Sequence, residues 1–427
     1  MIIIRLVVDY HPVNPYFRSM IERKINKKLL EALSDTPVIL LHGARQTGKS
    51  TLIKNLIKRK YDAKYLTFDD AGILSAAQNS PDDFLTAYDG NIALDEVQRV
   101  PELFPAIKNS VDKKRKSGKF LLTGSANVLL IPKISESLAG RMEILTLYPF
   151  SQSEIEGTSG NFIDEIFIKN YTLPKTSGGQ SNLVSRAVAG GYPEMLSRKG
   201  KDRRDAWFKS YITAILQRDV RDISNIEKLN ELPKLLKLFA SRAGTLLNFA
   251  EFSRSAAIPQ TTLKRYTALL EAIFMIYLLP SWSGNLSKRL IKTPKLYLGD
   301  TGLLSHLIDF DETRKNSDPM LWGRILENFV LMELVKQASW SKFNLSLFHY
   351  RSAGGQEIDF VIERSDGSII CIEVKASSKV DSAMFKHMKT FADEVGEKFM
   401  RGIIFYTGND PIPFSKNLIA LPVEVLW

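Results

Sequence analysis

A chain of 427 residues with 44% apolar and 25% charged side chains is an ordinary soluble globular composition, long enough for two to four domains with real cores. One cysteine, Cys371, excludes an intramolecular disulfide, and one cysteine with five scattered histidines argues against a structural zinc site. The formal charge of +11 suits a polyanionic partner such as nucleic acid, although it also suits plain solubility.

The opening run Met1–Val8 is too short for a signal peptide and lacks the basic flank before it. The longest other apolar stretch, 269–279, is broken by Glu271 and ends at Pro280, too short to span a bilayer. No membrane association and a cytoplasmic location are therefore expected.

The first module is expected over 17–155. Pro37–Leu41 reads as a buried strand, and 51–57 has helical spacing. Between them stands Gly43-Ala44-Arg45-Gln46-Thr47-Gly48-Lys49-Ser50, a complete phosphate-binding P-loop, followed by Thr51. A strand feeding such a turn into a helix aims successive N–H groups and the positive end of the helix dipole at a phosphate. Lys49 reaches the β- and γ-phosphates, and the Ser50 hydroxyl can ligate Mg²⁺. ATP and Mg²⁺ are the cofactors this implies.

Strand patterns follow at 64–68, 91–96, 119–125 and 142–148, separated by helical patterns at 71–79, 101–116 and 129–140. That alternation predicts an α/β fold with a parallel sheet covered on both faces. Asp95 closes its strand beside the P-loop and would hold Mg²⁺ together with Ser50, and Glu96 would polarise the attacking water. Arg141 and Arg218 are candidates for neutralising transition-state charge, against the alternative of surface ion pairs. The run 113–116, Lys-Lys-Arg-Lys, reads as a solvated helix end.

These motifs resemble the AAA+ branch of P-loop ATPases. The resemblance implies a five-stranded core with a polar γ-phosphate sensor on the strand next to the P-loop, here Ser125 or Asn127. Many such ATPases form rings, so a homo-oligomer is compatible with it.

Residues 156–202, rich in Gly and Ser up to about 190, are expected to be a linker with loops. A helical and winged-helix domain is expected over 203–315. Its short helix Phe249–Ala256, turn 257–260 and second helix 261–270 precede two strand-like runs, 274–282 and 293–299. Lys264 and Arg265 on the second helix, with Lys288 and Arg289 between the strands, are the candidate DNA contacts. A helical connector that touches no DNA is the alternative.

A last module is expected over 316–427. Glu327 falls on an amphipathic helix, Asp359 on the strand 357–362 and, after the Asp366-Gly367 turn, Glu373 and Lys375 on one face of the strand 369–375. Asp359 and Glu373 would bind Mg²⁺, with Lys375 orienting or deprotonating water and Glu327 completing the shell. A plain cross-strand ion pair is the bland reading of Glu373 and Lys375. The set resembles the PD-(D/E)XK nucleases, with Ile358 standing where that pattern has proline, and the fold is also used merely for binding.

Nearly the whole chain after residue 17 resembles a prokaryotic family of predicted ATPases. In that family an AAA+ domain precedes a winged helix and a nuclease-like fold. The signatures include 93–98 (Ala-Leu-Asp-Glu-Val-Gln), 190–194 (Gly-Gly-Tyr-Pro-Glu) and 298–303 (Leu-Gly-Asp-Thr-Gly-Leu). The function expected is an ATPase whose nucleotide state controls a DNA-engaging, nuclease-like C-terminal half. The alternative is a signalling ATPase whose C-terminal half binds a protein partner.

Overall fold

The computed structural model describes residues 21–124, 138–174, 182–285, 287, 289, 292–352 and 354–427, with the backbone alone at 218–223 and without 224–230. Ser125, Asn127, Lys288, the Arg218 side chain and most of the helix expected over 129–140 lie outside the described residues.

The N-terminal sheet is built from β1 (Val38–His42), β2 (Ala63–Thr67), β3 (Asn91–Asp95), β4 (Phe120–Gly124) and β5 (Met142–Thr146). All neighbours are parallel, in the order β2-β3-β4-β1-β5. Every residue of β1 and β4 is buried, as strands covered by helices on both faces require. One cluster centres on Phe68, Phe104 and Phe120, and the other places Leu29, Ile53 and Leu56 against Ile39 and Leu41. The acidic strand is not the immediate neighbour of the P-loop strand as expected, because β4 lies between them. The run 113–116 is exposed, as a solvated helix end should be.

The described residues of 156–202 are not a free linker. Short helices at Phe162–Glu165, Leu183–Ala189 and Pro193–Ser197 bury Phe162, Ile163, Ile166, Leu183 and Tyr192 in the largest core. Gly190 and Gly191 mark tight packing: a Cβ on Gly191 would stand 2.2 Å from the Phe150 carbonyl oxygen. That core runs on through Phe239, Tyr266, Trp322 and Phe405, so the expected border near 315 separates no cores.

The middle part runs through the helix Leu232–Ser241, β6 (Thr245–Leu246), the helices Phe249–Ala256 and Gln260–Ala272, β7 (Ile276–Leu279) and β8 (Lys295–Leu298). The strands form an antiparallel sheet ordered β6-β8-β7. Asn248 opens the first of the paired helices, its side chain accepting from the Ala250 and Glu251 N–H groups at 3.0 and 3.2 Å.

The C-terminal part begins with the long helix Pro319–Ser339, nearly every residue of which is buried from Ile325 to Gln337. An antiparallel meander follows: β9 (Leu345–Arg351), β10 (Glu357–Arg364) and β11 (Ile369–Lys375). After the helix Lys386–Val395, β12 (Phe399–Tyr406) pairs parallel to β11. β13 (Ile412–Pro413) and β14 (Leu418–Pro422) complete a six-stranded sheet ordered β13-β14-β12-β11-β10-β9. Cys371 is fully buried inside it.

Candidate functional site: the P-loop and a charged cluster

The P-loop sits between the C-terminal end of β1 and the helix Lys49–Arg59. Gly43 is required by proximity, since a Cβ there would stand 2.2 Å from the Leu147 carbonyl oxygen. Gly48, at φ 94, occupies backbone space that a side chain resists. Thr47 folds its hydroxyl onto the Ala44 carbonyl at 2.9 Å. The Lys49 ammonium is buried and donates to the carbonyls of Gly43 and Ala44, 2.9 Å each, inside the curl of the loop.

Beneath the loop, the Ser50 hydroxyl donates to Asp95 Oδ2 at 2.7 Å. Two hydroxyls that sequence reasoning missed hold the same carboxylate: Tyr65 on β2, 2.5 Å from Oδ2, and Thr123 on β4, which donates to Oδ1. Tyr65 lies in a short strand with no motif of its own, and Thr123 opens the expected sensor tip 123–127, of which only Ser125 and Asn127 are given the sensing role. Glu96 follows with φ 62, a left-handed conformation that costs a non-glycine residue about 1–3 kcal/mol and clusters at working sites. Its N–H donates to Thr123 Oγ1 at 3.3 Å, and its carboxylate accepts from the Gln98 amide. Ser50 and Asp95 therefore present hard oxygen donors side by side, a donor set that fits Mg²⁺.

Arg23 was also missed. It lies ahead of the first strand and belongs to no motif. Its guanidinium donates to the Thr47 carbonyl (2.8 Å), the Tyr148 carbonyl (2.6 Å) and Glu154 Oε1 (3.0 Å), bracing the loop from behind. Burial lowers its proton affinity, and the Glu154 carboxylate opposes that. Beside the loop, burial and then the charge of Lys49 push His42 down to about 4, so its ring is neutral at neutral pH. From the middle part, the Tyr211 hydroxyl donates to the Arg45 carbonyl at 3.2 Å and meets the Tyr192 hydroxyl at 2.9 Å. Tyr192 belongs to the Gly-Gly-Tyr-Pro-Glu signature, which here packs beside the P-loop.

Arg141 does not join this site. It precedes β5, whose Met142 pairs with Val38 at the start of β1, so it lies at the far end of the sheet from the loop. Its guanidinium grips Asp112 with two bonds, at 2.6 and 2.9 Å.

The structure brings the residues of the second constellation near one another and adds one more. The Lys375 ammonium lies 2.7 Å from Glu373 Oε2, and the Val374 N–H donates to Asp359 Oδ2 at 2.9 Å. Burial raises the Glu373 carboxyl, against the pull of Lys375. Burial and the nearby Asp359 charge raise Glu327 to about 7, against Lys295. Lys295, from β8, enters the cluster and lies 2.5 Å from Glu357, 3.3 Å from Glu327 and 3.8 Å from Asp359. Among the described residues, no group of three or more His, Cys, Asp or Glu side chains is arranged to hold a metal ion. As placed, the acids therefore do not fit a divalent cation.

Of the expected DNA contacts, Lys264 and Arg265 are exposed. Arg289 is not available. It pairs with Glu363 at 2.6 Å and lies over the rings of Trp282 and Phe348, which ties it to the C-terminal sheet.

Residues 35–156 match a family described as AAA domain. Residues 180–314 and 322–426 match two further families, described as Domain of unknown function (DUF8612) and Domain of unknown function (DUF4143). An uncharacterized protein of Mycobacterium tuberculosis is 29% identical over 407 residues, 95% of this chain and 84% of its own. One of Haemophilus influenzae is 22% identical over 385 residues, 84% of this chain and 87% of its own. A solved Walker-type ATPase of Pyrococcus abyssi is 14% identical with a TM-score of 0.39, covering 66% of this chain and 93% of that one. Among the described residues, no helix is long and apolar enough to cross a membrane. With the P-loop above Asp95 and the strand order β2-β3-β4-β1-β5, residues 35–156 form a parallel-sheet α/β P-loop fold that is similar to the AAA domain family.

Proposed function

We propose that this chain is a magnesium-dependent ATP hydrolase whose nucleotide state is passed to its C-terminal half. The observation that carries the reading is the Ser50 hydroxyl 2.7 Å from Asp95, directly below a P-loop whose lysine is buried in the curl. Bound Mg²⁺ would neutralise phosphate charge and is suited by Ser50 and Asp95. Lys49 would leave the Gly43 and Ala44 carbonyls for phosphate oxygens. Glu96 would orient the attacking water and accept its proton, and Thr123 would keep Asp95 and the Glu96 backbone in place.

Transmission is supported by the contacts behind the loop. Arg45 touches Tyr211 of the long helix Lys201–Ile223, and Thr47 touches Arg23. A phosphate that shifts the loop would therefore press on the middle core.

For the C-terminal half, the helix-strand-helix-helix-strand-strand order of 232–298 supports the winged-helix reading. The helix-meander-helix-strand order of 319–406 supports the nuclease-like one. Exposed Lys264 and Arg265 favour contact with nucleic acid. Arg289, locked onto Glu363, favours the second reading, in which this half binds a protein partner and cleaves nothing.

The test is phosphate release by the full chain with Mg·ATP, with and without single-stranded, duplex and branched DNA. Turnover stimulated by one DNA shape supports the first reading, and DNA-indifferent turnover the second. Absence of any saturable Mg·ATP complex removes both.

A further inference from the structure

The charged cluster at the C-terminal sheet already contains a cation, and the chain itself supplies it. Glu357 and Asp359 stand at the start of β10, Glu373 and Lys375 at the end of β11, and Glu327 near the middle of the helix Pro319–Ser339. Lys295 reaches them from a different sheet, with only 3% of its side chain exposed. A lysine ammonium is almost never buried without carboxylate partners, because leaving water strongly disfavours the charge. Here it meets three.

The strand that carries it is fastened on both sides. Tyr297 donates to Glu327 Oε1 at 2.6 Å, and the Asn328 amide exchanges two bonds of 2.9 Å with the Leu298 backbone. His349 on β9 meets the Thr293 carbonyl at 3.1 Å. Lys295 is thus a fixture of the packed interface between β8 and β10, not a surface side chain that has fallen into a cleft. A divalent ion placed between Glu327, Glu357 and Asp359 would share low-dielectric space with a fixed ammonium, and like charges there repel strongly.

We propose that the Lys295 ammonium is the resident cation of this cluster, taking the place of a divalent metal, and that the cluster serves as a metal-free ionic lock. It joins the three-stranded sheet of the middle part to the C-terminal sheet. Glu357 is its nearest anchor, and Glu327 is shared between Lys295 and Tyr297. Lys295 lies within 3.8 Å of Glu327, Glu357 and Asp359, so removing its charge leaves three uncompensated carboxylates around the space it vacates, and a hard divalent cation that draws them together would relieve their repulsion.

The test titrates Mn²⁺ alone, without nucleotide, into the full chain and reads bound metal by electron paramagnetic resonance and calorimetry. Wild type and Asp359→Asn are expected to give the same isotherm, any common binding belonging to Ser50 and Asp95. Lys295→Met keeps the stem and loses the charge. It is expected to gain one further Mn²⁺ site, about tenfold or more tighter than anything common to both proteins, and lost again in Lys295→Met/Asp359→Asn. A Mn²⁺ site in wild type that Asp359→Asn abolishes overturns the proposal. So does a folded Lys295→Met that gains no site. If Lys295→Met fails to fold, the comparison of wild type with Asp359→Asn still decides. Because no ATP is present, the outcome is independent of whether the P-loop hydrolyses nucleotide.

Discussion

Arg23 Nη1 donates to the Thr47 carbonyl at 2.8 Å, so a residue ahead of the first core strand holds the back of the P-loop. The same guanidinium pairs with buried Glu154. Arg23→Ala should leave that carboxylate uncompensated and cost about 3–5 kcal/mol, read as a lower midpoint of thermal unfolding. Arg23→Lys should recover only part, because an ammonium cannot serve three partners lying in different directions as the planar guanidinium does. ATP affinity, measured by titration with a fluorescent analogue, should weaken in both. An unchanged midpoint and affinity would show the brace to be idle.

Lys49→Ala and Glu96→Gln should separate binding from turnover. The first removes the cation that meets the phosphates and should depress both. The second keeps shape and hydrogen bonding but loses the base, so ATP binding should persist while phosphate release falls roughly 10²–10⁴-fold. Wild-type turnover by Glu96→Gln would remove Glu96 from the role.

Arg141→Ala should leave phosphate release at the wild-type value in dilute protein. The side chain grips Asp112 at the far end of the sheet from the loop. If the rate instead falls only as protein concentration rises to where wild type assembles, Arg141 acts across a subunit boundary.

Glu327 carries a pH prediction. Its folded-state pKa is raised from 4.5 to about 7 by burial and the Asp359 charge, against Lys295 and Tyr297. Glu357 and Lys375 also face the cluster. A carboxyl raised on folding contributes stability that is fully present below about 4.5 and is lost as pH rises through about 7. Between pH 5 and pH 8 the wild type should therefore lose at most about 3 kcal/mol that Glu327→Gln does not lose. Urea unfolding of both proteins across that range checks it, and parallel curves would show that Glu327 does not titrate there.

Lys264 and Arg265 project from the helix Gln260–Ala272 and are exposed. If they touch phosphates, replacing each by Ala should weaken binding to every DNA sequence alike and reduce the salt slope by about 1. Fluorescence anisotropy at several salt concentrations measures this. Flat binding at low salt would favour the protein-partner reading.

The nucleotide site was legible because its chemistry is local. A strand runs directly into an eight-residue glycine turn that carries the lysine, one contiguous motif, and Asp95-Glu96 ends an apolar strand visible in the periodicity. Tyr65, Thr123 and Arg23 were not legible. Their partners are 30, 28 and 24 residues away, and a lone hydroxyl or arginine carries no spacing signature. The region 156–202 misled for a related reason. Its glycines and serines suggest loop, yet the short helices Phe162–Glu165 and Leu183–Ala189 between them bury apolar side chains in the largest core.

By itself, the order of residues determined the phosphate-binding turn, the alternation of strands and helices around it, and the acidic and basic positions of the last sheet. Those features follow from backbone geometry and hydrophobic period over short windows. Only the tertiary structure decided that β4 separates β3 from β1, that Arg141 faces away from the loop and that Lys295 enters the acid cluster. Each depends on which strands become neighbours, and that is set by burial across the whole core rather than by any neighbour in sequence.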